Sequence, residues 1–198
     1  MSERLGRRSG VGGRLPTLVI VDVQIGLAAP EYGRRCNPRF LLHVEQLLGA
    51  WRTAGLAVVF TRHVSSRPGS PLAPGADGLA IEPRVAPASG EPVFDKRTNS
   101  AFKQPRFAAA LAPAPAELVV VGLATDACVT ATAREALDLG YRVTVVHDAC
   151  STYERRAPAG ETLPAELVHD VALAALAASG IRLRSTADQL ADLAPTDP

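Results

Sequence analysis

The 198-residue chain contains no uninterrupted apolar stretch of membrane-spanning length, which argues against a transmembrane helix. It has no surplus of one charge either: 21 basic and 20 acidic residues leave a formal net charge of +1, with the two signs interspersed. Nothing in that balance points to nucleic acid or to a membrane surface as a partner. Cysteine is sparse. Cys36, Cys128 and Cys150 make an odd number at wide spacing, with no CxxC and no Cys/His cluster. That excludes the spacing of a structural zinc site or a disulfide framework, and reduced thiols in a cytoplasmic protein is the plain reading. Aromatic residues make up 5% of the chain, and lysine is rare beside arginine, a bias that carries no functional information. No internal repeat is present, and no GxGxxG lies between a strand and a helix; Gly10 to Gly13 fall in an Arg/Gly-rich segment with no strand before them.

What is present is a core. Hydrophobic residues supply 47% of the chain, enough for one globular domain. Residues 1–14 lack the apolar centre of a signal peptide and read as a disordered leader, with a transit peptide as the weaker alternative; residues 15–195 read as a single domain. Leu15–Val23 (LPTLVIVDV), Leu56–Thr61 (LAVVFT), Pro92–Asp95 (PVFD), Leu118–Val121, Arg142–Val146 and Ile181–Leu183 are short apolar runs that predict strands. Pro38–Ala54, Arg106–Leu111, Val129–Leu139, Pro164–Ser179 and Ala187–Leu193 predict helices, the first with Asn37 as N-cap and Gly55 as stop, the fourth with Thr162 as a candidate cap. Between Ser65 and Gly90 the chain is dense in Pro, Gly and Ser; a loop of that length is functional or disordered. Alternating strands and helices predict an α/β fold of three layers, Rossmann-like, with a mostly parallel sheet covered by helices on both faces.

In such sheets the chemistry gathers at the carboxyl ends of the strands. Three polar residues occupy those positions. Asp22 ends the first strand, Lys96 follows the PVFD strand, and Cys128 follows VVVGLATDA, where a helix is about to begin. A helix start presents free N–H groups and a positive dipole end, so a depressed thiol pKa is expected at Cys128. A carboxylate inside VIVDVQ is costly unless paired or used. Together the three support one mechanism: Asp22 takes the proton of Cys128, Lys96 holds the charge, and the sulfur attacks an amide carbonyl. Backbone N–H groups in the turn before the helix would stabilise the oxyanion, ammonia or an amine would leave, and water would hydrolyse the thioester.

The chain resembles the isochorismatase-like cysteine hydrolases, a group that includes nicotinamidases, carbamoylsarcosine-type amidases and streptothricin-hydrolase-like enzymes. The resemblance rests, in order, on LVIVDVQIGL, GSPLAPGADGLAIEPRVAP, GEPVFDKRTNSAF, VVVGLATDACVTATAREALDLGYRVTVVHDAC and LVHDVALAALAASGIRL, and runs from about Leu15 to Leu190. It implies an isochorismatase-type fold with Asp22, Lys96 and Cys128 as the catalytic residues. It further implies a cis peptide at Leu123–Ala124, aiming the Ala124 N–H beside that of Cys128 at the substrate oxygen. Phe102, His63, Gln24 and Leu123 are the substrate-pocket candidates, Phe102 matching a position that is commonly an aromatic or apolar wall.

One departure bears on cofactors. Metal-binding nicotinamidases carry Asp-x-His after the second strand; here the segment reads Thr61-Arg62-His63, without the acidic ligand. The expectation is therefore no metal and no other cofactor, and a substrate other than nicotinamide. The leading reading is a cysteine amidohydrolase cleaving a C–N bond of a small carboxamide, carbamoyl or lactam. The alternatives are an isochorismatase-type vinyl-ether hydrolase, in which Cys128 is a bystander, and a non-catalytic binding or redox-sensing member of the fold. Relatives commonly form homodimers or homotetramers, and the resemblance implies the same here. Cys36 and Cys150 are expected to be inert, His43 and His169 to be packing or surface residues, and Asp148 to brace loops.

Overall fold

The computed structural model describes residues 15–193 apart from positions 112 and 115. The leader expected at residues 1–14 lies outside the described residues. The strands are β1 (Thr17–Val21), β2 (Val58–His63), β3 (Val93–Lys96), β4 (Glu117–Leu123), β5 (Arg142–Ser151), β6 (Arg155–Arg156), β7 (Thr162–Leu163) and β8 (Arg182–Arg184). The helices are α1 (Phe40–Thr53), α2 (Pro105–Ala110), α3 (Thr130–Asp138), α4 (Ala165–Ala178) and α5 (Thr186–Leu193). Six strands form one sheet in the order β3-β2-β1-β4-β5-β8, and every neighbouring pair in it is parallel. Strand order reverses between β1 and β4, so the carboxyl ends of these two strands open a crevice there.

The period of two along the strands divides the core. Leu18, Ile20, Val119 and Val121 join Phe40, Val44, Leu47 and Trp51 of α1 on one face, where Leu190 and Leu193 of α5 also pack. Val19, Val21, Leu118 and Val120 face the other way, onto Phe107 of α2, Ala133 and Ala136 of α3, and Leu173 and Leu176 of α4. Both faces being covered, the central strands are near-continuous apolar runs rather than alternating ones. Among the described residues no helix is long and apolar enough to cross a membrane.

Several boundaries differ from the sequence reading. Strand β5 does not stop at Val146 but continues through His147 and Asp148 to Ser151, with its register to β4 slipping between Val120 and Gly122. The slack is taken up by Asn37, whose side-chain amide donates to the carbonyls of His147 (3.3 Å) and Cys150 (2.7 Å). Asn37 is thus a brace for β5 at φ +47°, and the cap position of α1 falls at Arg39. Thr162 does not cap α4 either; it pairs with Arg156 in a two-stranded hairpin, and Pro164 takes the cap position. Asp148 accepts from the backbone N–H and hydroxyl of Thr186, both at 2.8 Å, and so caps α5, a tertiary partner that no local spacing announces.

The Pro/Gly-rich loop is laid against the segment after β1. Ile25 N donates to Ala80 O, Glu82 N to Val23 O, and Gln24 bridges Ile81. Two glycines permit the approach: a Cβ on Gly78 would stand 2.7 Å from the Gly26 Cα and 2.5 Å from the Pro71 carbonyl oxygen. At the crevice itself the constraint falls on Gly122, where φ is +119° and a Cβ would meet the Val21 carbonyl oxygen at 2.1 Å. Gly122→Ala should therefore lower the unfolding free energy by about 3 kcal/mol or more. Gly55→Ala, at φ +65° with nothing within 4 Å, should cost only about 1–2 kcal/mol. Urea titration of both variants checks this; equal costs would show that the backbone near β1 yields.

Candidate active site

Asp22 stands one residue beyond β1 with φ +50°, its N–H bonded to the Thr61 carbonyl at 3.1 Å. The Thr61 hydroxyl, on the adjacent β2, donates to one carboxylate oxygen at 2.7 Å. Lys96, the last residue of β3, lies opposite His63 in the parallel register and reaches across β2 toward the crevice. Its ammonium donates to Asp22 Oδ2 (2.6 Å), to the Thr98 carbonyl (3.1 Å) and to Cys128 Sγ (3.2 Å). An ammonium has three hydrogens, and all three find acceptors. Asp22, Lys96 and Cys128 are 1%, 3% and 8% exposed, so the ion pair is buried and is tolerable only because its polar atoms are satisfied.

Cys128 lies in a single wide helical turn, Thr125–Val129, that leads directly into α3. The Leu123–Ala124 peptide before it is cis, as the motif resemblance implies. The turn is anchored from outside: the Thr125 hydroxyl meets His169 Nδ1 at 2.9 Å, and Asp126 holds Arg155 through two contacts at 2.8 and 3.1 Å and accepts from the Thr152 hydroxyl. His169 is therefore a buried support beneath the turn. Cys36 and Cys150 are buried free thiols away from the crevice cavity.

The depressed thiol pKa expected from the helix start is not found. Burial pushes the Cys128 thiol up to about 12; the Asp22 carboxylate adds to the rise, and the Lys96 ammonium opposes it. Desolvation is the largest cause, Cys128 being only 8% exposed where it meets the cavity. The resting site is a neutral thiol beside a carboxylate, and the proton must be removed by a neighbour when sulfur reacts.

A cavity of about 410 Å³ opens above these groups. Of the pocket candidates, His63 and Leu123 line it, together with Ala124, Ala127 and Cys128 of the turn. Gln24 and Phe102 do not. The Gln24 amide accepts from the His63 N–H (2.8 Å) and donates to the carbonyls of His63 and Leu79 (3.1 Å each), so it fixes His63 and the loop from behind. Phe102 packs edge-on against Phe107, with ring centroids 5.1 Å apart, inside the core on the α2 side. Its apolar ring is spent on that core packing rather than on the crevice. The remaining walls come from residues that the motifs did not single out: Leu27, Tyr32, Asn99, Tyr153 and Arg155, with Ser65, Arg67, Ser70 and Leu72 from the long loop. Leu27, Ser70, Leu72 and Asn99 fall within the quoted motifs without being distinguished there, and Tyr32, Tyr153 and Arg155 lie outside them.

Burial and the nearby Lys96 charge lower the pKa of His63, so it is neutral at pH 7. Possible metal-ligand atoms of Asp22, His63 and Cys128 lie within 4.8 Å of one another. The set does not suit a divalent cation, because the Lys96 ammonium already bonds to two of the three groups and would be thrust against it. Thr61, where an acidic ligand would be needed, spends its hydroxyl on Asp22.

The fold and cavity define the class: a doubly wound parallel α/β protein with a cavity at the strand-order reversal. Residues 16–188 match the isochorismatase domain family. Streptothricin hydrolase of Streptomyces noursei is 35% identical over 153 residues, covering 76% of this chain and 55% of that protein. Maleamate amidohydrolase of Pseudomonas putida is 32% identical, covering 72% of this chain and 75% of its own. A Chromobacterium violaceum protein assigned as a hydrolase of the isochorismatase family superposes with a TM-score of 0.81 at 34% identity, over 98% of both chains. The chain belongs to the isochorismatase family and is a hydrolase of that group.

Thiolate absorbance near 240 nm, taken as the difference between the protein and its Cys128→Ser variant, should stay flat to about pH 9, since a raised pKa leaves sulfur protonated below it. Asp22→Asn removes a charge that raises that pKa, so thiolate should appear at lower pH. A midpoint near neutrality in the unaltered protein would contradict the account of burial.

Proposed function

We propose that the chain is a cysteine-dependent amidohydrolase that cleaves a C–N bond of a small carboxamide, carbamoyl or lactam through a thioester. The observation that carries this reading is the Lys96 ammonium bonded at once to the Asp22 carboxylate and the Cys128 sulfur at the floor of a cavity. The names of the relatives, an amidohydrolase among them, support it.

In the first half-reaction Asp22 takes the thiol proton as sulfur bonds to the substrate carbonyl carbon. Lys96, bonded to both groups, holds the developing negative charge on sulfur. The carbonyl oxygen becomes an oxyanion facing the Ala124 and Cys128 N–H groups of the turn. As the C–N bond breaks, the proton on Asp22 passes to the departing nitrogen, which leaves as ammonia or an amine. Water then gives a proton to Asp22, its oxygen attacks the thioester carbon, and the C–S bond breaks. Asp22 returns the proton to sulfur, and a carboxylic acid departs.

A vinyl-ether hydrolase would have no use for a thiol bonded to the lysine. The two readings separate in an ammonia-release screen over carboxamides, carbamoyl amino acids and lactams. Cys128→Ala and Asp22→Asn should each lower turnover by about 10³-fold or more, and iodoacetamide should abolish it. Mass spectrometry of quenched reactions should show an acyl adduct on Cys128. Ammonia release that survives Cys128→Ala would remove the thioester route.

A further inference from the structure

We infer that His63 is a further catalytic residue of the proposed reaction: its ring accepts a hydrogen bond from the water that hydrolyses the thioester, while Asp22 takes that water's proton. The inference rests on the amidohydrolase reading above and gives its second half-reaction a residue of its own.

His63 ends β2, opposite Lys96 in the parallel register, and lines the cavity together with Asp22 and Cys128. One nitrogen of its ring, one carboxylate oxygen of Asp22 and the Cys128 sulfur all lie within 4.8 Å of one another. Two acceptors at such a separation are spanned by a single water with hydrogen bonds of ordinary length. The acyl carbon, one bond from the sulfur, is then that water's neighbour. Structural bonding does not account for the ring. Its Nδ1 is buried and has no hydrogen-bond partner among the described residues, a rare state for a polar atom in a folded protein. What holds the residue is its backbone: the Gln24 amide accepts from the His63 N–H at 2.8 Å and donates to the His63 carbonyl at 3.1 Å. A clamped main chain carrying an uncommitted ring suits a side chain whose partner arrives with the reaction.

Asp22 alone aims a water poorly. Its two oxygens already accept from Thr61 at 2.7 Å and from Lys96 at 2.6 Å, and a water held by one further bond still turns about it. The Lys96 ammonium has no lone pair to offer. His63 supplies the second acceptor. Burial and the Lys96 charge lower its pKa against the opposing pull of Asp22 and the Thr98 carbonyl, so at pH 7 one ring nitrogen carries a lone pair. The step balances. The water O–H directed at Asp22 breaks and its proton goes to the carboxylate, the oxygen bonds to the acyl carbon, and the C–S electrons return to sulfur, which then regains the proton from Asp22. The other O–H stays intact on His63, whose ring neither gains nor loses a proton. Two fixed acceptors hold the water in one attacking geometry rather than many. A cation at this place meets the Lys96 ammonium, whereas a neutral water is compatible with it.

The test uses p-nitrophenyl acetate with the full chain, because its leaving group needs no protonation and the two half-reactions separate. A burst of p-nitrophenolate, absent in Cys128→Ala, reports acylation of the sulfur, and the steady phase reports hydrolysis of the acetyl-enzyme. His63→Ala should keep the burst, formed within about threefold of the original rate, and slow the steady phase by about 10²-fold. The acetyl adduct on Cys128 should then persist in quenched samples seen by mass spectrometry. Hydroxylamine, a nucleophile that attacks a thioester without assistance, should release it from both proteins at similar rates. His63→Gln, which retains an acceptor oxygen, should keep the burst and lose less of the steady rate. An intact burst certifies that each variant folds. A steady phase indifferent to both substitutions, or a burst lost or slowed in both in proportion to the steady phase, overturns the role of His63, while the burst of the unaltered protein upholds the thioester route. If the unaltered protein gives no burst and releases ammonia from no amide, the amidohydrolase reading falls and the role of His63 falls with it.

Discussion

A lysine and an aspartate buried side by side beneath a cavity set the terms for everything around them. Burying that pair costs several kcal/mol per ion unless each polar atom is satisfied, and removing one partner typically costs about 3–5 kcal/mol. The structure meets the demand with an acceptor for every ammonium hydrogen and a threonine hydroxyl for the second carboxylate oxygen. The last of the ammonium's acceptors is the cysteine sulfur, so the electrostatics of the pair and the chemistry of the thiol are one problem. A sulfur desolvated by burial does not ionise alone, which makes a neighbouring base necessary.

The sheet is what brings these groups together. Parallel strands place all their carboxyl ends on one edge, and the 3-2-1-4 order lets side chains from three strands and one turn meet without long loops. Gly122 is the tightest point of that arrangement, because β4 passes so close to β1 that no side chain fits between Gly122 and the Val21 carbonyl. Around this rigid floor the walls come from less regular chain: the loop after β2, the segment after β5, and the short turns after β1. The division matches the roles proposed here, with reaction chemistry on the sheet and enclosure on the loops.

How far the sequence could be read depended on whether a signal was local. Helices and strands with unbroken periodicity were found close to their positions, and Asp22, Lys96 and Cys128, each noted for following an apolar run, lie in contact at the strand ends. Errors came where a tertiary partner replaced a local one. His147 and Asp148 looked like the end of β5, but Asn37 and Thr186 supply the partners that let the strand run on. Phe102 and Gln24 sit in motif-rich segments near the site, yet one is drawn into the core and the other into bracing His63. The thiol's acidity was misjudged for the same reason: the helix start is visible in the sequence, whereas the desolvation of the sulfur is not.

By itself, then, the amino-acid order determined which residues alternate into strands and helices, that the sheet is mostly parallel, and which acid, amine and thiol lie at its strand ends. Only the tertiary structure decided what those groups touch, in which protonation state the sulfur rests, and which loop residues line the cavity. The first set depends on periodicity over a few residues. The second depends on distances and dielectric between residues as far apart as Asp22 and Cys128, and those exist only once the chain has closed around them.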